Sequence, residues 1–427
     1  MKTARLAAIL MILWALLGAG CQKAPKEVER PERILSKRQV IYDSSTYAKL
    51  AQLWEKYYEA YPSEDAYANW MYAAFYAELG NFGSMVKKGV EKYPSNPVLL
   101  YLAGREKTPW PPSLEGRQLQ ERAVALDPSY MDPWHSLVID YLAEGDREKA
   151  DVALRRLLNG GAIDDEIMDF SYNMFASMDT NAILITNGDN DTYPGWILTR
   201  IIRFRPDVNI VNRSLLNTDW YAREIVKEGV PAFVSQGELE SLKAQVSADI
   251  EKVKSGKMPD QDFATPGDRL IVRVIEAAQR SGRPVYFTCT LELNGLLKPF
   301  VAQGRKLGLV TLVTHTTMPY PMQLRKLFNT WTTEFRTGGL DSWQLRLAGE
   351  ARAGRLLARN YVAALHALKD QIQEAEPDVQ LSLFRWYRKH LIDIVPKGYV
   401  EEVNVMWCGP GRPQEIRDWC KSQGLAK

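Results

Sequence analysis

Two carboxylates one residue apart, Asp189 and Asp191, stand inside a dense polar run, Asn187-Gly188-Asp189-Asn190-Asp191-Thr192. An Asp-x-Asp pair supplies hard oxygen ligands and can hold a divalent cation, as nucleotide-sugar enzymes do. Two other readings fit the same residues. Amides at a helix start can hold an anion, although the adjacent carboxylates oppose one. Alternatively, Asx turns and an N-cap satisfy orphan backbone groups and nothing is bound. A second polar set, Asn217, Asp219 and Trp220, lies further on. If both sets close strand-to-helix turns on one edge of a parallel sheet, they build one polar pocket with Tyr193 and Trp196 as apolar walls. A helix cap plus a buried aromatic explains the second set equally well.

Other chemistries lack local support. His135, His315, His366 and His390 are scattered, and no HExxH, CxxCH, GxSxG, GxxxxGK[ST] or GxGxxG pattern occurs. Arg352, Arg355 and Arg359 form a stripe that suits phosphate or carboxylate, or simply a solvated helix face. The net charge of +2, without a basic block, gives no argument for nucleic acid. No cofactor is expected apart from the cation.

The elements around the polar run explain its placement. Ala182–Thr186 reads as a buried strand, Asp191 or Thr192 as the cap of the next helix, and Pro194 as part of its first turn. Strands are expected at 182–186, 208–212, 285–290 and 309–314. Helices are expected at 194–204, 220–228, 237–255 and from Thr265-Pro266. Strands alternating with helices argue for βαβ units and a mostly parallel, Rossmann-like sheet, where ligands sit at the carboxyl ends of strands. One long helix is expected from Ser342 to Ile372, with shorter helices closing the chain.

Upstream, Lys2 and Arg5 precede an apolar stretch, Leu6 to Leu17, and Gly18-Ala19-Gly20 lead to Cys21. This reads as an export signal of residues 1–21, and Cys21 at the cleavage edge resembles the lipidated cysteine of bacterial lipoproteins. Gln22, rather than Asp, favours the outer membrane over the inner. Residues 22–45 read as a charged tether. Tyr61-Pro62, Tyr93-Pro94 and Asp127-Pro128 recur at spacings of 32 and 34, and the turn at Gly80 matches that at Gly145. Residues 46–161 thus resemble tetratricopeptide repeats, with an irregular middle unit around Pro109, Trp110, Pro111 and Pro112. The α/β domain is expected at 162–340 and a C-terminal helical region at 341–427. Cys289 reads as a buried strand thiol. Export allows Cys408 and Cys420 to pair; the alternative is two separate thiols.

Three runs of the α/β segment resemble a known family: Asn187 to Pro194, Arg205-Pro206-Asp207-Val208, and Ser214 to Tyr221. Arg283-Pro284-Val285-Tyr286-Phe287 and Arg359-Asn360-Tyr361 add weaker pieces. They are similar to the soluble region of the protein O-mannosyltransferase-like family, glycosyltransferase family 117. Members of that family carry many transmembrane helices, on which transfer from a lipid-linked donor depends. No apolar run of membrane length follows the leader here, so the resemblance implies the fold and an interaction with glycosylation machinery or its substrates, not the transferase activity.

The reading that follows is a lipid-anchored envelope protein, more a binding or scaffold protein than an enzyme. Its helical repeats take a protein or peptide partner, its lipid holds the membrane, and its α/β domain adds a polar pocket. The alternative is a metal-dependent enzyme acting on a glycan or nucleotide-sugar-like substrate through Asp189 and Asp191.

Overall fold

The computed structural model describes residues 27–107 and 113–425, so Cys21 and the segment Pro109–Pro112 lie outside the described residues. Among the described residues no helix is long and apolar enough to cross a membrane. The chain divides into two compact units at Leu99/Leu100, inside the segment expected to be one repeat array.

The first unit holds α1 (Ser44–Ala60), α2 (Glu64–Tyr76), α3 (Phe82–Lys92) and the first residues of α4 (Pro97–Lys107). Side-chain caps fix the starts: Asp43 accepts from Thr46 N at 2.8 Å and Ser63 from Ala66 N at 3.2 Å. On α1, Tyr47 and Trp54 are buried, whereas Tyr61 is exposed. Residues 27–34 are not a free tether. Ile34 is buried, its amide donates to Asn69 Oδ1 at 3.0 Å, and Trp54 Nε1 donates to the Glu32 carbonyl at 2.9 Å. Helix α2 ends at Tyr76, with Glu78 rather than Gly80 in the left-handed region, at φ 55°.

The second unit takes in residues 35–42 and everything from Leu100. Helices α5 (Leu114–Leu126), α6 (Asp132–Glu144), α7 (Arg147–Asn159) and α8 (Asp165–Ala176) precede the sheet. Gly145, at φ 79°, closes α6, a conformation glycine adopts without a Cβ penalty. The turns at Gly80 and Gly145 therefore do not share a backbone shape. Residues 35–42 are also folded on: Ile41 N donates to the Ala351 carbonyl at 2.8 Å and Ala353 N to the Gln39 carbonyl at 2.8 Å.

The sheet contains β1 (Ile183–Thr186), β2 (Asn209–Asn212), β3 (Val285–Thr288), β4 (Arg305–Leu307) and β5 (Val310–Leu312), in the order β2-β1-β3-β5-β4. β1 runs parallel to β2 and to β3. The fourth expected strand does not continue this pattern: β5 is antiparallel to β3 and makes a hairpin with β4. The short α13 (Lys298–Gln303) leads from β3 into that hairpin, whose turn sends β5 back between β4 and β3 in the antiparallel sense. The fold is thus mixed α and β.

Helix α9 (Asp189–Trp196) joins β1 to β2 and widens into a π turn, Ile197–Ile201, after Pro194. It lies close on the sheet because a Cβ at Gly195 would come 2.7 Å from Ile210 Cδ1. After β2 come α10 (Asp219–Lys227), α11 (Gln236–Lys254) and α12 (Pro266–Arg280), which carry the chain across β1 to β3. The sheet's other edge is tied by two arginines from the runs that carry the family resemblance. Arg205 donates to the carbonyls of Phe175 and Met178 at 2.9 and 3.2 Å and to that of Asp179 at 2.6 Å. Arg283 reaches the carbonyls of Asn181, Ala182 and Gly229, and Asn209 Oδ1. Buried carbonyls thereby keep partners.

Helices α14 (Tyr320–Thr333), α15 (Trp343–Leu347), α16 (Ala353–Ala367), α17 (Lys369–Glu374), α18 (Pro377–His390), α19 (Lys397–Trp407) and α20 (Gln414–Ser422) complete the unit. The expected single helix from Ser342 to Ile372 is three helices. The arginines of the expected stripe make contacts within the protein. Arg352 pairs with Asp164 at 2.7 Å, Arg355 donates to the carbonyls of Ile394 and Ala348, and Arg359 stacks over Tyr399 at 4.7 Å. Cys408 and Cys420 are disulfide-bonded, and Cys289 lies just past β3 rather than within it; the residue as a whole is exposed, while burial of its thiol pushes the pKa up to about 12.

Candidate functional site

The first turn caps its own helix. Gly188 occupies the N-cap of α9 and Asp191 is the third helical residue. Its carboxylate turns back to accept from Asn187 N and Gly188 N, each at 2.9 Å. Beyond β3, Thr290 Oγ1 donates to the same carboxylate at 2.6 Å, and Thr288 Oγ1 at 3.3 Å. Asp191 is 3% exposed, and burial pushes its pKa above the usual carboxylate range against the pull of these donors. Thr192 meets Thr186 Oγ1 at 2.7 Å and accepts from Asn212 Nδ2 at 2.8 Å, which fastens the ends of β1 and β2 together. Asn190 reaches the Arg38 carbonyl at 3.4 Å.

Asp189 goes elsewhere. Its half-exposed carboxylate pairs with Arg38 Nε at 2.8 Å, and Arg38 also reaches Asp132 at 3.3 Å. Burial works against the Arg38 charge, but Asp189 and Asp132 outweigh it and hold the guanidinium well above its ordinary pKa. Asp189 and Asp191 therefore serve different partners. Among the described residues, no group of three or more His, Cys, Asp or Glu is placed to hold a metal ion.

Asn217, Asp219 and Trp220 do not join the first turn. Asn217 accepts from Gly267 N at 2.9 Å and donates to the Ser214 carbonyl, Asp219 pairs with Lys243, and Trp220 packs edge-on against Tyr221. They fasten the start of α10 to α11 and α12. The second turn reaches the site through earlier residues, Asn212, Ser214 and Leu215.

These two turns form one side of a cavity of about 140 Å³. Asn187, Gly188, Asp189 and Thr192 line it from the first turn, with Tyr193 and Trp196 as the expected aromatic walls. Tyr193 is fixed by its hydroxyl, which donates to the His135 carbonyl at 2.7 Å, and by edge contact with the His135 ring. Burial, and then Arg38, hold His135 well below its ordinary pKa, so the ring is neutral.

The other side was not anticipated from sequence. Arg38, Arg105, Ser136, Ile139 and Asp140 line it. Asp140 and Ser136 are 5% and 7% exposed, and Asp140 Oδ2, Ser136 Oγ and Arg105 Nε have no hydrogen-bond partner among the described residues. Burial pushes the Asp140 pKa up to about 7 although Arg105 and Arg117 act to lower it. A signal was present. Ser136 and Asp140 stand four apart, hence on one face, in the otherwise apolar stretch Leu137-Val138-Ile139. Arg38 and Arg105 had none, since only folding brings residues 35–42 and α4 to this sheet edge.

A family model, TMEM260-associated domain 2, matches residues 167–233. No curated protein matches the chain. The matched stretch runs from α8 through the first turn to beyond α10. It covers the sheet side of the cavity and Arg205, and leaves out Arg38, Arg105, Ser136 and Asp140.

Proposed function

We propose that this chain is a binding and scaffold protein of the cell envelope, anchored by lipid on Cys21. In this reading its helices present a surface to a protein or peptide partner, and the cavity at the ends of β1 and β2 takes a ligand. The observation that carries the binding role is the cavity wall, where buried polar groups without partners face space beside a sheet edge. An unmade hydrogen bond on a buried group costs about 1–3 kcal/mol, so such groups are expected where a ligand supplies the missing partner. The carboxylates that suggested catalysis are engaged, one in capping α9 and the other with Arg38.

The helical segment resembles tetratricopeptide repeats in its period. The sheet and its first crossover resemble one end of a parallel Rossmann-like domain. The likeness of the α/β runs to glycosyltransferase family 117 favours a place in envelope glycan or glycoprotein assembly, and the TMEM260-associated match falls on that same stretch.

Photo-crosslinking in intact cells with the full chain, followed by fractionation, tests the proposal. The expected result is recovery with outer membranes, loss of that recovery in Cys21→Ser, and a reproducible set of crosslinked neighbours. Membrane recovery unchanged in Cys21→Ser would sink the anchor. Failure to recover any neighbour repeatedly would sink the scaffold role.

A further inference from the structure

We propose that the cavity binds an oxyanion group, a carboxylate or a phosphate, through the Arg105 guanidinium, the Ser136 hydroxyl and the Asp140 carboxyl. The inference deepens the binding reading above and rests on the cavity being a ligand site. The three groups line one space, and none of Arg105 Nε, Ser136 Oγ and Asp140 Oδ2 has a protein partner among the described residues. A guanidinium offers only donors, and a serine hydroxyl turns to donate when an acceptor arrives. Near pH 7 Asp140 carries a proton about half the time and can also donate. A group that satisfies all three at once is an acceptor with several lone pairs and negative charge.

The neighbouring acids do not oppose it. Asp189 is neutralised by Arg38, and Asp191 faces Thr288 and Thr290. The charged and titratable groups coupled to Asp140 are Arg105 from α4, Arg117 and Glu121 from α5 and Tyr141 beside it on α6, with Tyr193 across the cavity. Between them the two arginines outnumber the one glutamate. The volume of about 140 Å³ suits a headgroup with a few carbons, since a cavity on the order of 150 Å³ accepts a benzene ring.

Because a bound anion favours the protonated form of Asp140, binding takes up a proton. Affinity is therefore full below about pH 7 and falls as Asp140 ionises above it.

Ligand-observed NMR titration of the purified full chain, from pH 6 to 8.5, tests this with acetate and with dimethyl phosphate, which both keep one negative charge in that range. One probe is expected to bind at one site, the tighter probe naming the source chemistry. Affinity should fall more than tenfold across the range. Arg105→Gln should weaken binding at least tenfold at every pH. Asp140→Asn, which keeps a donor and cannot ionise, should bind with a flat pH profile. This variant guards against mistaking misfolding of Arg105→Gln for loss of the site.

Binding insensitive to Arg105→Gln, or a pH profile unchanged in Asp140→Asn, overturns the proposal. If neither anion binds while glycerol or ethylammonium binds in an Asp140-dependent way, the oxyanion assignment fails and the cavity remains a binding site. If none of the four probes binds, both readings fail.

Discussion

Asp191, behind the first turn, and Asp140, on α6, are buried to nearly the same depth, 3% and 5% exposed, yet their surroundings differ. Asp191 accepts from two backbone amides and three threonine hydroxyls supplied by its own turn and by the end of β3. Asp140 Oδ2 accepts from nothing among the described residues. Burial raises the pKa of both, so depth alone does not distinguish them. The difference lies in hydrogen-bond bookkeeping. A buried acid with every lone pair engaged stabilises the fold, whereas a buried acid with a spare one is a standing cost that a ligand can relieve.

The comparison breaks first at Asp191. Asp191→Ala leaves two amides and three hydroxyls without this acceptor at the junction of β1, β3 and α9, and should destabilise by about 3–5 kcal/mol. Urea unfolding measures it. A loss under 1 kcal/mol would mean that water replaces the carboxylate and that the turn is less closed than described.

Asp140 should behave in the opposite sense. Its folded pKa is raised from 3.8 to about 7, so the folded state holds a proton that the unfolded chain releases between those values. Stability from this group is greatest below the unfolded pKa, declines as pH rises toward 7, and levels off above it. Asp140→Asn removes that decline. The variant should match the parent near pH 4 and exceed it by about 2–4 kcal/mol at pH 8, read as the difference between their urea midpoints. Equal stability at both values would show that Asp140 is solvated and has no spare buried oxygen.

How far the sequence foretold these two sites follows from how local each one is. The first turn was legible because strand, glycine, carboxylate and proline sit within fifteen residues, and capping is a local transaction. Even there, the cap formed at Gly188, three residues before Asp191, because Asp191 reaches back from the third helical position rather than standing at the cap itself. Two parallel neighbours of β1 were legible from apolar runs. The reversal at β5 was not, since a three-residue strand beside a short helix carries the same apolar pattern in either direction. The long helix failed at Ala348-Gly349, where the chain leaves helical geometry to meet residues 35–42. The cavity's far wall required contacts between residues over a hundred positions apart, such as Arg38 with Asp189, and no local pattern encodes these.

Asp189 sharpens the comparison by sitting between its extremes. It has a partner, Arg38, but its side chain is 49% exposed, so water can replace that partner at little cost. Asp189→Ala should therefore change stability by less than about 1 kcal/mol, far below the effect at Asp191 two residues away. Its consequence belongs to the cavity. With Asp189 gone, Arg38 retains Asp132 at 3.3 Å but loses its closest carboxylate, and its charge is less screened from the cavity it lines. Anion affinity should then rise a few-fold at low ionic strength, with the gain shrinking as salt is added. A large stability loss would place Asp189 with Asp191 as part of the closed turn. A fall in anion affinity would show that Asp189 holds Arg38 in a binding pose, and the two acids of the turn would then divide the work between fold and ligand.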